Sequence, residues 1–197
     1  MRLLRSSILR LLLLNIPLWL FVAWWMHVLD LKIFSHDDAT RTMIAGSWAR
    51  HPFLFTPDGQ WLPLPFYLYG ALWKLLGEPD IAFWFAPVSA LMMAIGATGI
   101  GCTGIRLAGR GEHDTPVSLP ILVFAAIVPV MLHDNWRVAP TALSEPPFLM
   151  LLGVSTALAT GICIDRPVRP GRWILLAIVL FAWQMTRYEA IPIVFAM

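Results

Sequence analysis

Charge is what this chain most lacks. Only 13% of its 197 residues are Asp, Glu, Lys or Arg, about half the ~25% of ordinary soluble domains. With 58% hydrophobic residues and a mean hydropathy of +0.71, the apolar content exceeds what one water-soluble core can absorb, which points to a membrane. Cysteine is nearly absent. Cys102 and Cys163 are the two present, both inside apolar runs and without metal-ligand spacing, which excludes a disulfide framework and leaves them as small packing residues. The formal net charge is +2 with no dense basic cluster, so nucleic acid is excluded as a partner. A cleavable signal peptide is excluded as well. Arg2, Arg5 and Arg10 precede a long apolar run that ends in Trp24-Trp25-Met26-His27 without a small-residue cleavage site, as expected of an uncleaved first transmembrane helix.

What is present is a series of apolar runs: residues 8–29, 81–107, 117–132, 146–164 and 173–185. A last run, 190–197, stops within the chain's final residues, short of the ~20 that a spanning helix needs. The chain is therefore expected to be the N-terminal part of a longer protein. The third and fifth runs are short for simple spans and call for tilting or shelter within a bundle. Ten Trp and eleven Phe fit broad interfacial belts. The fold class expected is all-α, a multi-pass transmembrane helical bundle with a long outer loop carrying interfacial helices.

Topology turns on residues 61–76, apolar but interrupted by Pro63, Pro65 and Lys74. If this segment lies at the interface, Arg2, Arg5, Arg10, Arg106, Arg110, Arg166, Arg169 and Arg172, eight of the fourteen Lys and Arg, face the cytoplasm. If it spans, the short Arg-bearing loops 108–116 and 165–172 face outward, against the positive-inside rule. The interfacial reading puts loop 30–80 outside. With it go Asp37, Asp38, His133, Asp134, Arg137, Glu145, Arg187 and Glu189.

The acidic pair in His36-Asp37-Asp38-Ala39 opens that loop. Carboxylates at a membrane exit cost free energy unless they have a role. One of them can serve as a general base towards an acceptor hydroxyl. The structural alternative is an N-cap for a helix over 38–50, ended by His51-Pro52. Glu145 opens the fourth run as a substrate-binding acid at the bundle rim, or simply follows Ser144 as the cap with Pro146 in the first turn. Arg187 and Glu189, in Thr186-Arg187-Tyr188-Glu189, are a phosphate or substrate contact, or else a surface pair with a snorkelling arginine. His133-Asp134-Asn135-Trp136-Arg137 reads as a solvated turn. His36 and His51 flank the first loop helix, but without an HxH or HxxxH pattern for a metal. Gly99-Ile100-Gly101-Cys102-Thr103-Gly104 matches GxGxxG, yet it lies in an apolar run, where small residues let helices approach closely and no nucleotide unit exists.

The order of these features resembles the multi-pass glycosyltransferases of the GT-C fold that use polyprenyl-phosphate-linked sugars, such as the protein O-mannosyltransferases and aminoarabinose transferases. The segments that carry the likeness are HDDATR (36–41), WLPLPFYLYGALWKLLGE (61–78), ALSEPPFL (142–149) and TRYEA (186–190). The resemblance implies direct transfer of a sugar from a polyprenyl-phosphate donor to a glycan, lipid or protein acceptor, usually with inversion, at the outer face of the plasma (inner) membrane. The family's catalytic acid would fall on Asp37, with Asp38 at the second position of the pair, where many relatives have Glu. Arg187 and Arg41 are the implied phosphate contacts. No cofactor is implied for this group, although its oligosaccharyltransferase relatives need a divalent metal. Family members have more helices than this chain. The competing class is a non-enzymatic polytopic protein, a transporter or flippase component. It predicts charged spans and repeated halves, whereas these runs are nearly charge-free and show no internal repeat.

Overall fold

The computed structural model describes residues 2–30, 36–54, 62–77, 81–108, 117–131, 141, 144–164 and 169–186. Among the described residues the secondary structure is entirely helical. The elements are α1 (Arg2–Val28), α2 (His36–Arg50), α3 (Leu64–Leu76), α4 (Ile81–Leu107), α5 (Leu119–Met131), α6 (Glu145–Ile164) and α7 (Pro170–Gln184).

Three stretches are long and apolar enough to cross a bilayer: Ser7–Val28, Trp84–Leu107 and Glu145–Ile164. At 1.5 Å per residue, the 20 residues of α6 give about 30 Å, the thickness of the hydrocarbon core. α5 and α7, with 13 and 15 residues, reach only about 20 Å and 22 Å. Each buries one stripe, Leu122, Ala126 and Pro129 on α5 and Leu176, Val179 and Trp183 on α7. Their other faces expose Phe124, Met131, Trp173, Ile174 and Phe181, an apolar surface that water would penalise and lipid would not. Pro17 and Pro87 sit inside α1 and α4, where each removes one helical hydrogen bond.

α4 is the hub, with 67% of its spanning window buried against 28% for α1. It packs antiparallel to α1. Trp19 and Ala23 meet Ala90, Met93, Ala94 and Ala97, while Leu11 meets Cys102 and Ile105 further along. α6 runs parallel to α4 at a very close crossing. A Cβ on Gly96 would lie 2.5 Å from the Leu149 carbonyl oxygen, and one on Gly99 or Gly153 would come closer still to the backbone of Gly153 or Gly96. Gly99 and Gly101 of the GxGxxG-like match thus serve helix contact, as small residues do in membranes, while Gly104 faces open space. An interhelical polar bond crosses α1 and α4, with Asn15 Nδ2 donating to Thr98 Oγ1 at 3.1 Å. α7 returns antiparallel along α6, with Trp183 against Phe148 and Leu151 and Arg172 near Gly161.

These directions sort the helix ends. The C-terminal ends of α1 and α7 and the N-terminal ends of α4 and α6 lie at one end of the bundle. Arg10, Arg106, Arg169 and Arg172 belong to the other, along with the α1 N-terminus.

α2 and α3 form a separate layer against the N-terminal part of α4, where Ala45 and Tyr69 join Phe85. They interlock reciprocally, for a Cβ on Gly46 would lie 2.9 Å from the Trp73 ring and one on Gly70 2.6 Å from Trp48. The turn that follows α1 reaches Asp30, which adopts φ 57°, a left-handed conformation that Asp tolerates better than most residues. α3 ends at Gly77, φ 75°, whose N–H donates to Trp73 O, as glycine commonly does past a helix C-terminus.

Candidate functional site

The end of the bundle that carries the acids is assembled by α3. Its first N–H, on Leu64, donates to Met185 O at 3.1 Å, tying α3 to the exit of α7. One turn and a half later Tyr69 and Ser89 share a 2.7 Å hydrogen bond, joining α3 to α4. Ser89 Oγ also donates to Thr141 O at 2.7 Å, and Tyr69 Oη reaches the same carbonyl at 3.3 Å. Thr141 stands four residues before Glu145, the first residue of α6. Tyr69, Ser89, Thr141 and Ser144 are each no more than 2% exposed. A buried polar group without a partner costs ~1–3 kcal/mol, so this network is specified: α3, α4 and the approach to α6 hold one another in register.

Asp37 is exposed in the first turn of α2. That helix starts at His36, not at Asp38 as the capping rule predicts. Asp37 therefore lies within the first turn instead of capping it, a position where the helix macrodipole favours a carboxylate. Arg41, one turn later on the same face of α2, is partly buried with its Nε shielded from solvent. Glu145 stands partly buried in the first turn of α6, with Oε2 shielded. Ser144 O accepts the Phe148 N–H at 3.0 Å, so the helix start expected at Ser144-Glu145-Pro146 is present. The Asp38 side chain, Arg187, Glu189, and the turn containing His133, Asp134 and Arg137 lie outside the described residues.

Two to three turns further along α2 from Arg41 and Asp37, its contact with α3 is aromatic. Trp48 Nε1 donates to Phe53 O at 3.0 Å and its ring stands 5.7 Å from that of Tyr67. Tyr67 Oη donates to Leu54 O. Partial burial pushes the Tyr67 phenol above its ordinary range. Among the described residues no three His, Cys, Asp or Glu side chains gather as a metal would need.

Sequence reasoning missed Tyr69, Ser89 and Thr141. They lie far apart in the chain and belong to no local pattern, and their only sequence signal is polarity within or beside apolar segments. It also used Arg106 and Arg172 only as markers of sidedness, whereas both reach α6 backbone carbonyls. Arg106 Nη1 donates to Ala157 O at 3.2 Å and Arg172 Nη1 to Gly161 O at 3.5 Å. No family model, curated protein or solved structure matches the chain.

Proposed function

We propose that the chain is an integral membrane glycosyltransferase, or the N-terminal portion of one, that moves a sugar from a polyprenyl-phosphate donor to a glycan, lipid or protein acceptor. The observation that carries this reading is the division of the bundle's two ends. Asp37, Arg41 and Glu145 belong to the end covered by α2 and α3, and the arginines of α1, α4 and α7 to the opposite one. Positive charge marks the cytoplasmic side, so the acids face the extracytoplasmic side, where a lipid-linked donor can be met by an external acceptor.

The chemistry asks little of the protein. Asp37 or Asp38 takes the proton from an acceptor hydroxyl as that oxygen attacks the sugar's anomeric carbon. The bond from that carbon to the phosphate oxygen breaks with its electron pair leaving on the phosphate. A phosphate is a stable anion, so no general acid is required. Arg41 and Arg187 are assigned to the phosphate, because a guanidinium fork matches its oxygens. Glu145 and Glu189 are assigned to sugar or acceptor hydroxyls. The Tyr69–Ser89–Thr141 network is given a supporting role: it fixes α3, and through it α2, over the end of the bundle where transfer takes place.

The test is transfer from a labelled polyprenyl-phosphate sugar in membranes expressing the full-length gene. Asp37→Asn or Asp38→Asn is expected to abolish transfer while the protein is still produced. Wild-type transfer by both variants refutes the assignment. Labelling of a cysteine at position 37 from the cytoplasmic side would refute the topology.

A further inference from the structure

A second feature lies away from the acids. Between α1, α4 and α6 is a cleft of ≈ 420 Å³, within the ~300–1,000 Å³ typical of ligand sites. Leu12, Ile95, Val154 and Leu158 line its length, and Arg106 and Arg172 are part of its wall. Ala157 and Gly161 also line it, so small residues leave room along its α6 wall. The hydroxyl of Thr98, also in the wall, is turned to internal use. It donates to Ala94 O at 2.8 Å and accepts from Asn15 at 3.1 Å, which leaves the trough apolar.

The two arginines converge. Their carbonyl partners, on Ala157 and Gly161, are one turn of α6 apart, roughly 6 Å along the axis. A Cβ on Gly161 would strike Arg106 Nη1, so the glycine provides the slot in which that guanidinium lies. Two cations, Arg106 and Arg172, line this cleft. A guanidinium carries five N–H donors, so a carbonyl contact and a phosphate contact are compatible on one side chain.

We propose that this cleft binds an anionic phospholipid, with one acyl chain in the trough and the phosphate held between Arg106 and Arg172. The occupant follows from charge complementarity. An apolar channel that ends in two cations fits an amphiphile with one hydrophobic chain and one anionic head, and basic pockets between helices on the cytoplasmic side bind such headgroups. The site is at the bundle end opposite Asp37. It is independent of the proposed sugar transfer and stands or falls without it.

The experiment uses the full-length protein in nanodiscs of phosphatidylcholine containing phosphatidylglycerol with a photoactivatable acyl chain, and the reverse labelling with photoactivatable phosphatidylcholine. Cross-links from phosphatidylglycerol are expected to concentrate on Leu12, Ile95, Val154 and Leu158. They should exceed those from phosphatidylcholine by at least about tenfold, the effect of one charge-assisted hydrogen bond. The Arg106→Gln/Arg172→Gln double variant should lose that preference. Ala157→Phe, which fills the trough and keeps both arginines, should lose the cross-links themselves, and it decides the matter alone if the arginine variant does not fold. Equal labelling by the two lipids overturns the proposal, as does labelling unchanged by Ala157→Phe, or spread evenly over outward residues such as Leu13 and Phe21. Cross-links within the cleft to a later segment of the chain itself, in place of lipid, overturn it too. Displacement by soluble glycerol phosphate at the same concentration as by lipid would show a phosphate site without a chain site, and also overturns it.

Discussion

Gly99→Ala and Gly104→Ala are the same substitution five residues apart on α4, and the crossing with α6 predicts opposite signs for them. In a helix interior, replacing Gly by Ala gains about 1 kcal/mol from backbone entropy. At Gly104 nothing lies within 4 Å of the added methyl, so that gain is expected in full. At Gly99 the methyl would lie well inside contact distance of the Gly153 backbone. A backbone cannot rotate aside as a side chain can, so α4 and α6 must separate by about 1 Å to restore ordinary contact. A gap of that size forfeits a quarter to a half of the dispersion well between facing atoms. Overpacking of this kind costs about 1–3 kcal/mol, and with no soft neighbour the upper part of that range applies. Subtracting the entropic gain leaves Gly99→Ala destabilised by about 2 kcal/mol, and the two variants about 3 kcal/mol apart. Equilibrium unfolding of the purified protein in mixed micelles, followed by tryptophan fluorescence, measures this difference directly. Equal stabilities, or a Gly99→Ala protein more stable than wild type, would refute the close crossing. Gly153→Ala serves as the reciprocal check from α6.

Other outcomes follow from the layer over the bundle end. Ser89→Ala removes the donor to Thr141 O and a partner of Tyr69; a loss of about 1–3 kcal/mol is expected, with faster amide exchange in α3 than in α4 by hydrogen-exchange mass spectrometry. Trp183→Ala opens a cavity at a site with no exposure, between Phe148 and Leu151, and should cost about 3–5 kcal/mol in the same unfolding assay. Burial raises the folded-state pKa of Tyr67 above its unfolded value near 10.0. The corresponding stability is full below pH 10 and is lost as pH rises through the folded pKa. An alkaline loss of stability is therefore expected in wild type and a weaker one in Tyr67→Phe, as read from melting temperatures across that range. For the proposed reaction, Asp37→Asn or Asp38→Asn should remove transfer activity, and Asp37→Asn, at an exposed position, should change the unfolding free energy by no more than about 0.5 kcal/mol.

Much of the architecture was legible from hydropathy, because the requirement to satisfy every backbone polar group in lipid leaves a long apolar run little choice but helix. Residues 8–29, 81–107 and 146–164 were read as runs and became α1, α4 and α6 with small differences at their ends. The short runs 117–132 and 173–185 became the 13- and 15-residue helices α5 and α7, each packed along one stripe. The start of α2 was misjudged by two residues, since local capping preference is worth only about 1 kcal/mol and gives way readily.

The candidate site was legible in part. Asp37, Arg41 and Glu145 are unusual for where they fall in the sequence, and a charged residue near an apolar run can be noticed one position at a time. By itself the sequence determined the helical class, the long apolar spans and the uneven distribution of arginine, because each follows from transfer free energies that act residue by residue. Only the tertiary structure decided that α6 is the helix Gly96 and Gly99 approach, with Gly153 as the facing residue. Only it joined Tyr69, Ser89 and Thr141 into one network and brought Arg106 and Arg172 to adjacent turns of α6. Each of these depends on which helix lies beside which, and in what direction and register. That is a property of shape complementarity between surfaces far apart in the chain, and no local pattern encodes it.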